Sequence, residues 1–271
     1  MSSRRLYGPL GFEVSIVQGK PLFGRTPRVV CLLGALSLFE PAAYAAHPLI
    51  SEDTGTQGTG NLELELGNSW SVADGGRVYV FKPQLSYGAS PTVDLIAQPW
   101  WLSTRDATGA SNQGFGDTNF DAKWRFFGQD PLSIAVRAGV ETPTARDGLG
   151  LPQPGYSPHA LLVATVDRAP LVLHANLGYV HVPEASGVRV NGYHVSLAAM
   201  IAASDRLTIT FDAAADSSPD SGVGSRPAVA LAGAIYTVRP GLDVDAGYLV
   251  GLNSAAVNRQ WLLGITFRWA P

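Results

Sequence analysis

The chain has 271 residues, 46% of them hydrophobic and only 15% charged, with 30 Gly, 19 Pro, one Cys and a formal net charge of −3. Soluble domains carry about a quarter of their residues as charges, so charge has been withheld from a surface that water would normally wet. A weakly acidic chain without a basic stripe is a poor match to nucleic acid, and a single cysteine excludes a disulfide framework or a thiolate metal site.

In chain order, Arg25 and Arg28 precede an apolar run, Val29–Phe39, and Ala43 and Ala45 supply the small residues of an A-x-A cleavage site. A run of eleven residues is too short for a bilayer whose ~30 Å hydrocarbon core needs about 20 helical residues. Residues 1–45 therefore read as a leader and cleaved secretory signal. Cys31 lies inside it, and its removal leaves 14 basic and 20 acidic residues, a formal charge of −6. Residues 46–60 are polar and Gly-rich; they are expected to form a flexible periplasmic lead, with a small plug tucked into a lumen as the alternative.

Residues 61–271 show no helical period. They break into about twelve segments that alternate apolar with polar or small. Tight reversals fall at Gly88–Pro91, Gly128–Pro131, Asp167–Pro170, Ser204–Asp205 and Arg239–Gly241. Between them lie mostly longer connections rich in Gly, Ser, Asn and Asp: Ala73–Gly76, Thr104–Gly114, Pro143–Tyr156, Pro183–Arg189, Ser217–Ser225 and Asn253–Val257. Alternating short and long connections and an even strand count predict an all-β fold, a transmembrane antiparallel up-and-down β-barrel of about 12 strands in the bacterial outer membrane. A secreted β-sandwich also alternates, but it gives no reason for a signal, alternating connection lengths and a terminal aromatic strand to coincide.

The phase of alternation divides the faces. In the last segment Trp261, Leu263, Ile265, Phe267 and Trp269 share one face, while Gln260, Gly264, Thr266 and Arg268 share the other, which only Leu262 interrupts. In Gly116–Phe127 the inward phase is Asp117, Asn119, Asp121, Lys123 and Arg125, a row too costly to desolvate in a dry core but suited to a wet or ion-paired lumen. The same parity adds Glu63, Glu65, Lys82, Gln84, Arg137, His174, Asn176, His194, Asp212, Asp243 and Asp245 to the expected lumen lining. The segments 228–238 and 159–166 are apolar or small on both faces, and their phase cannot be read. Aromatics gather at both ends: Tyr87, Phe126, Phe127, Tyr236 and Trp269 beside short turns, and Trp70, Trp100, Trp101, Tyr179 and Trp261 toward long loops, as in interfacial belts. His159 and His181, at strand ends, read as interface residues.

No constellation points to catalysis. His194 and Ser196 share a face in the string Asn191–Ser196, but no G-x-S-x-G occurs, and two-residue spacing on a strand is common. His174 and His194 lack a third ligand for a metal. The expectation is no enzyme, no catalytic residue, no cofactor and no metal.

The string His47–Leu66, the segment Gly114–Phe127 with its Gly-Asp and Lys-Trp-Arg, and the closing Gly264–Trp269 resemble the outer-membrane transporter family of the meta-pathway of phenol degradation. The resemblance touches the start, middle and end of the mature chain. It implies a barrel that takes up aromatic or other hydrophobic small molecules, and it transfers no site residues. One departure is that Ala270 and Pro271 follow the terminal aromatic Trp269. The expected partners are the lipid bilayer, the outer-membrane insertion machinery and a small-molecule solute, not nucleic acid. The expected function is a passive channel with a narrow, polar-lined lumen. A plugged structural or interaction barrel working through its outer loops Thr104–Gly114 and Pro143–Tyr156 is the alternative, and a membrane-embedded lipid hydrolase a more distant one.

Overall fold

The computed structural model describes residues 47–73, 76–145, 155–183, 190–218 and 226–269, together with a short antiparallel pairing of Arg5–Tyr7 with Glu13–Ser15. The signal run Val29–Phe39, the cleavage site and much of the loops 143–156, 183–189 and 217–225 lie outside the described residues.

Twelve strands form one antiparallel meander: β1 (Leu62–Ala73), β2 (Gly76–Ser90), β3 (Val93–Gln98 continuing as Trp101–Arg105), β4 (Ser111–Phe115 continuing as Thr118–Gln129), β5 (Leu132–Thr142), β6 (Ser157–Arg168), β7 (Leu171–His181), β8 (Asn191–Ala202), β9 (Leu207–Asp216), β10 (Ala228–Arg239), β11 (Leu242–Gly251) and β12 (Arg259–Trp269). β12 pairs with β1 from Arg259↔Val72 to Trp269↔Leu62, which closes the sheet into a barrel and leaves no edge. Each of the five expected tight reversals joins consecutive strands. The connection 104–114 is shorter than its composition predicts, because pairing continues to Arg105↔Ser111 and leaves only 106–110 as a turn. There the Asp106 carboxylate accepts from the Thr108 hydroxyl and from the amides of Thr108 and Ala110, which lowers its pKa.

Strands of 10–15 residues are long enough for the about 9–11 that a tilted strand needs to cross hydrocarbon. The outward phase is apolar and exposed: Leu85, Leu95, Phe120, Leu162, Leu177, Leu197, Phe211, Leu263 and others. A water-facing surface of that composition would aggregate, whereas a bilayer covers it. Tyr87, Phe126, Phe127, Tyr236 and Trp269 lie exposed at the short-turn end. At the other end Tyr248–Trp261 and Trp70–Tyr79–Trp101 pack ring to ring, with centroids 4.5 to 5.8 Å apart. Trp100 does not join that belt. Pro99 interrupts β3, and the Trp100 ring turns inward against Val78, Val80 and Leu102, over Gly116, where a Cβ would stand 2.1 Å from the indole. Leu177, 57% exposed near the middle of β7, should tolerate no charge. Leu177→Arg is expected to lower folding stability in vesicles by about 2–4 kcal/mol, read from urea titration by tryptophan fluorescence.

Candidate functional site

Glu63, Glu65, Gln84, Asp117, Asn119, Asp121, Lys123, Arg137, His174, Asn176, His194, Asp212 and Asp245 are buried inside the barrel, and Lys82 and Asp243 are half-buried there. Two sit at the mouth instead. Arg125 precedes a bulge in the β4–β5 pairing and donates to the Pro91 carbonyl at the short-turn rim. Arg268, its side chain 40% exposed, bridges Glu63 at 2.6 Å and Asp243.

What these side chains face is not open water. Residues 47–60 are not a flexible lead: they run through the lumen and are bonded to its wall along most of their length. Glu52, 0% exposed, places one carboxylate oxygen 3.1 Å from Lys123 Nζ and the other 2.8 Å from Arg137 Nη1. Arg137 also donates from Nη2 to Asp121 at 2.6 Å, and Asp121 takes His159 Nε2 at 2.7 Å, so His159 faces the lumen and not the lipid interface. Asn176 grips the Glu52 backbone at both ends, its Oδ1 accepting from the N–H at 2.6 Å and its Nδ2 donating to the carbonyl at 2.9 Å. The Asp212 carboxylate accepts the N–H groups of Ile50 and Ser51, each at 2.7 Å, and the Ser51 hydroxyl at 2.9 Å. His47 pairs with Asp245, Thr54 bonds Ser133 and Thr165, and the Gln57 N–H reaches Asp94 at 3.0 Å. Wall side chains thus satisfy backbone groups that a buried, unpaired segment would leave bare.

Charge is matched piece by piece. On the β4–β5 wall Arg137 pairs with Asp121, and Glu52 of the plug supplies a carboxylate to both Lys123 and Arg137. Asp212 of β9 and Asp245 of β11 hold the plug through its amides and His47, while Asp243 of β11 bridges the wall cation Arg268.

The tip of the plug also explains the strand whose phase the sequence hides. Leu49 and Ile50 pack inside the barrel with Val229, Leu231, Leu249 and Leu262, and with Ala256 and Val257 of the loop after β11, which folds inward. β10 is apolar on both faces because one meets lipid and the other meets the plug, and Leu262 has the same reason. Leu161 and Val163 of β6 join Ala135 in a smaller inward apolar patch.

Four inward glycines make the seat for His47 and Pro48. A Cβ on Gly67 would stand 3.0 Å from the His47 ring, one on Gly264 2.4 Å from it, and Cβ atoms on Gly233 and Gly247 2.7 and 2.8 Å from the Pro48 ring. Gly264→Ala is expected to cost about 1–3 kcal/mol of thermal stability as overpacking. Gly128→Ala, with nothing within 4 Å of its new Cβ, should leave the melting temperature unchanged.

Sequence reasoning missed the plug residues His47, Ser51 and Glu52 and the wall residues Asp94, Gln98, Ser133, Thr165 and Asp216. The parity of Asp94, Ile96 and Gln98 carried the signal for β3. The proposed hydrolase pair is otherwise engaged: Ser196 donates to Asn176 Oδ1 at 3.2 Å and lies 2.9 Å from the Ser51 hydroxyl, while His194 Nδ1 pairs with Asp216 at 2.7 Å. Among the described residues no group of three or more His, Cys, Asp or Glu is placed to hold a metal ion.

Residues 50–269 match the family model described as "Putative MetA-pathway of phenol degradation". No curated protein sequence matches the chain. It is similar in fold to an outer membrane channel from Pseudomonas putida F1, with a TM-score of 0.65 at 10% identity over 80% of this chain and 98% of that one. Two porins, KdgM and NanC, follow with TM-scores of 0.55 and 0.54, each at 10% identity over 76% of this chain and 99% and 98% of theirs.

Proposed function

The chain belongs to this phenol-degradation-pathway family, its match running from the plug tip to the last strand, and from that membership we propose an outer-membrane channel for passive uptake of small hydrophobic or aromatic solutes. The observation that carries the reading is a lumen filled by a segment held in place by side-chain hydrogen bonds, ion pairs and an apolar cluster, with a backbone bond from Gly60 N–H to the Gly88 carbonyl at its base. A wall needed purely as a scaffold could be filled by its own side chains, as in barrels of about eight strands. Here the filling is a separable stretch of chain, and Leu231, Leu249 and Leu262 would give an apolar solute a surface once Leu49 and Ile50 withdrew. Similarity to channels and porins supports the same reading through the fold.

Uptake into liposomes is the test. Vesicles carrying the protein should admit aromatic solutes faster than sugars of similar size, and equal rates with and without protein would reject a channel. The occupied lumen is also what a structural or interaction barrel would show. That reading requires no conductance even after the plug is removed.

A further inference from the structure

On the loop side of His47 and Ile50 lies a small cavity between the plug tip, β1–β3 and the β11–β12 wall. Its lining is divided. Ile50, Val80, Leu249 and Leu262 make an apolar side, and Glu65, Gln98 and Gln260 make a polar one. The Gln98 and Gln260 side chains are 0% and 5% exposed, and each keeps its Oε1 without a hydrogen-bond partner.

The orientation of Gln98 is fixed by a relay. Glu65 Oε1 accepts from Gln84 Nε2 at 3.1 Å, so Gln84 turns Oε1 toward Gln98 Nε2, also at 3.1 Å, and the leftover atom of Gln98 must be an acceptor. Arg137 Nη1, donating to the same Gln84 Oε1 at 3.2 Å, reinforces this direction. A buried acceptor without a donor is costly, and native structures hold few of them. Two that line one cavity are accounted for together by something that enters it. The terminal torsion of a Gln side chain is broad, so small rotations bring these oxygens onto an entrant.

We propose that this cavity is a binding site for an uncharged small molecule that carries at least two O–H or N–H donors beside a hydrocarbon face. The donors meet the amide oxygens of Gln98 and Gln260, and the hydrocarbon lies on Ile50, Leu249 and Leu262. A net charge is disfavoured because burial beside Ile50, Leu249 and Leu262 would strip it of solvation. The site rests on the channel reading as the place where a solute pauses above the plug.

Calorimetric titration of the purified full barrel in detergent with trans-1,2-cyclohexanediol and with its dimethyl ether is the test. The two share a ring and both oxygens and differ in the two donors. The diol is expected to bind about tenfold or more tightly than the ether, as two extra hydrogen bonds imply. Gln98→Met and Gln260→Met, which keep side-chain volume, should each cut that difference about threefold or more and leave ether binding unchanged. Circular dichroism and gel mobility verify that each variant is folded. Equal affinities in the unmodified protein, or a difference that survives in both variants, overturns the proposal. Single-channel recordings on the same preparation and on the barrel lacking residues 47–57 separate the two readings: conductance without discrimination rejects the site alone, and discrimination with no conductance from either form supports the site while rejecting the channel.

Discussion

Removal of residues 47–57 is expected to raise single-channel conductance in planar bilayers about fivefold or more, because twelve strands enclose more space than the roughly eight whose side chains fill a barrel. Leu49, Ile50, Ser51 and Glu52 are 0–1% exposed inside that space and fill what the wall does not. The wall has the means to survive the loss. Arg137 keeps Asp121, and Lys123, Asp212 and Asp245 would face water, which solvates a lone charge far better than a dry core does. The bared ring carries both signs, so the enlarged pore should show little preference between potassium and chloride. Unchanged conductance with a folded barrel would mean that the plug is not what closes the lumen.

Glu52→Ala should have the largest effect of any single substitution on plug docking. It strips Lys123 of the carboxylate 3.1 Å away and takes one of three acceptors from Arg137. Removing one partner of a buried ion pair costs about 3–5 kcal/mol, a shift of roughly a hundredfold to a few thousandfold in the docked population. Water entering the gap places the result toward the lower figure. The measurement is the fraction of time the channel conducts. Lys123→Met in the Glu52→Ala background should restore much of the closure, since it deletes the stranded cation, whereas Lys123→Met alone should loosen the plug. Additive effects of the two substitutions would show that Glu52 and Lys123 do not act as a pair.

The barrel was legible because its two-residue period survives in most strands. In β12 and β4, lipid on one side and polar partners on the other force opposite chemistry onto alternate residues, and closed pairing from β1 to β12 follows. The lumen list was legible for the same reason. What the sequence hides are the partners. Nothing local marks Glu52 for Lys123 and Arg137, 71 and 85 residues away, and a polar, Gly-rich stretch has the composition of a lead as well as of a plug. Two signals were present and pointed the right way: β10 is apolar on both faces, and Leu262 breaks a polar row. A lumen wall with no filling has no use for Leu231, Leu249 and Leu262, so those residues imply that something apolar reaches them. Trp100 and His159 went astray because position near a strand end does not tell inward from outward where Pro99 breaks the phase or the neighbours are all apolar.

The glycine seat sets an order of events during assembly. Gly67 belongs to the first strand and Gly264 to the last, and they stand opposite each other across the β1–β12 seam. Gly233 and Gly247 lie on the two strands before it. The pocket for His47 therefore does not exist until the final seam has zipped, although His47 precedes every barrel strand in the chain. The earliest of these residues to be made must be the last to settle, and its arrival certifies that the ring is complete.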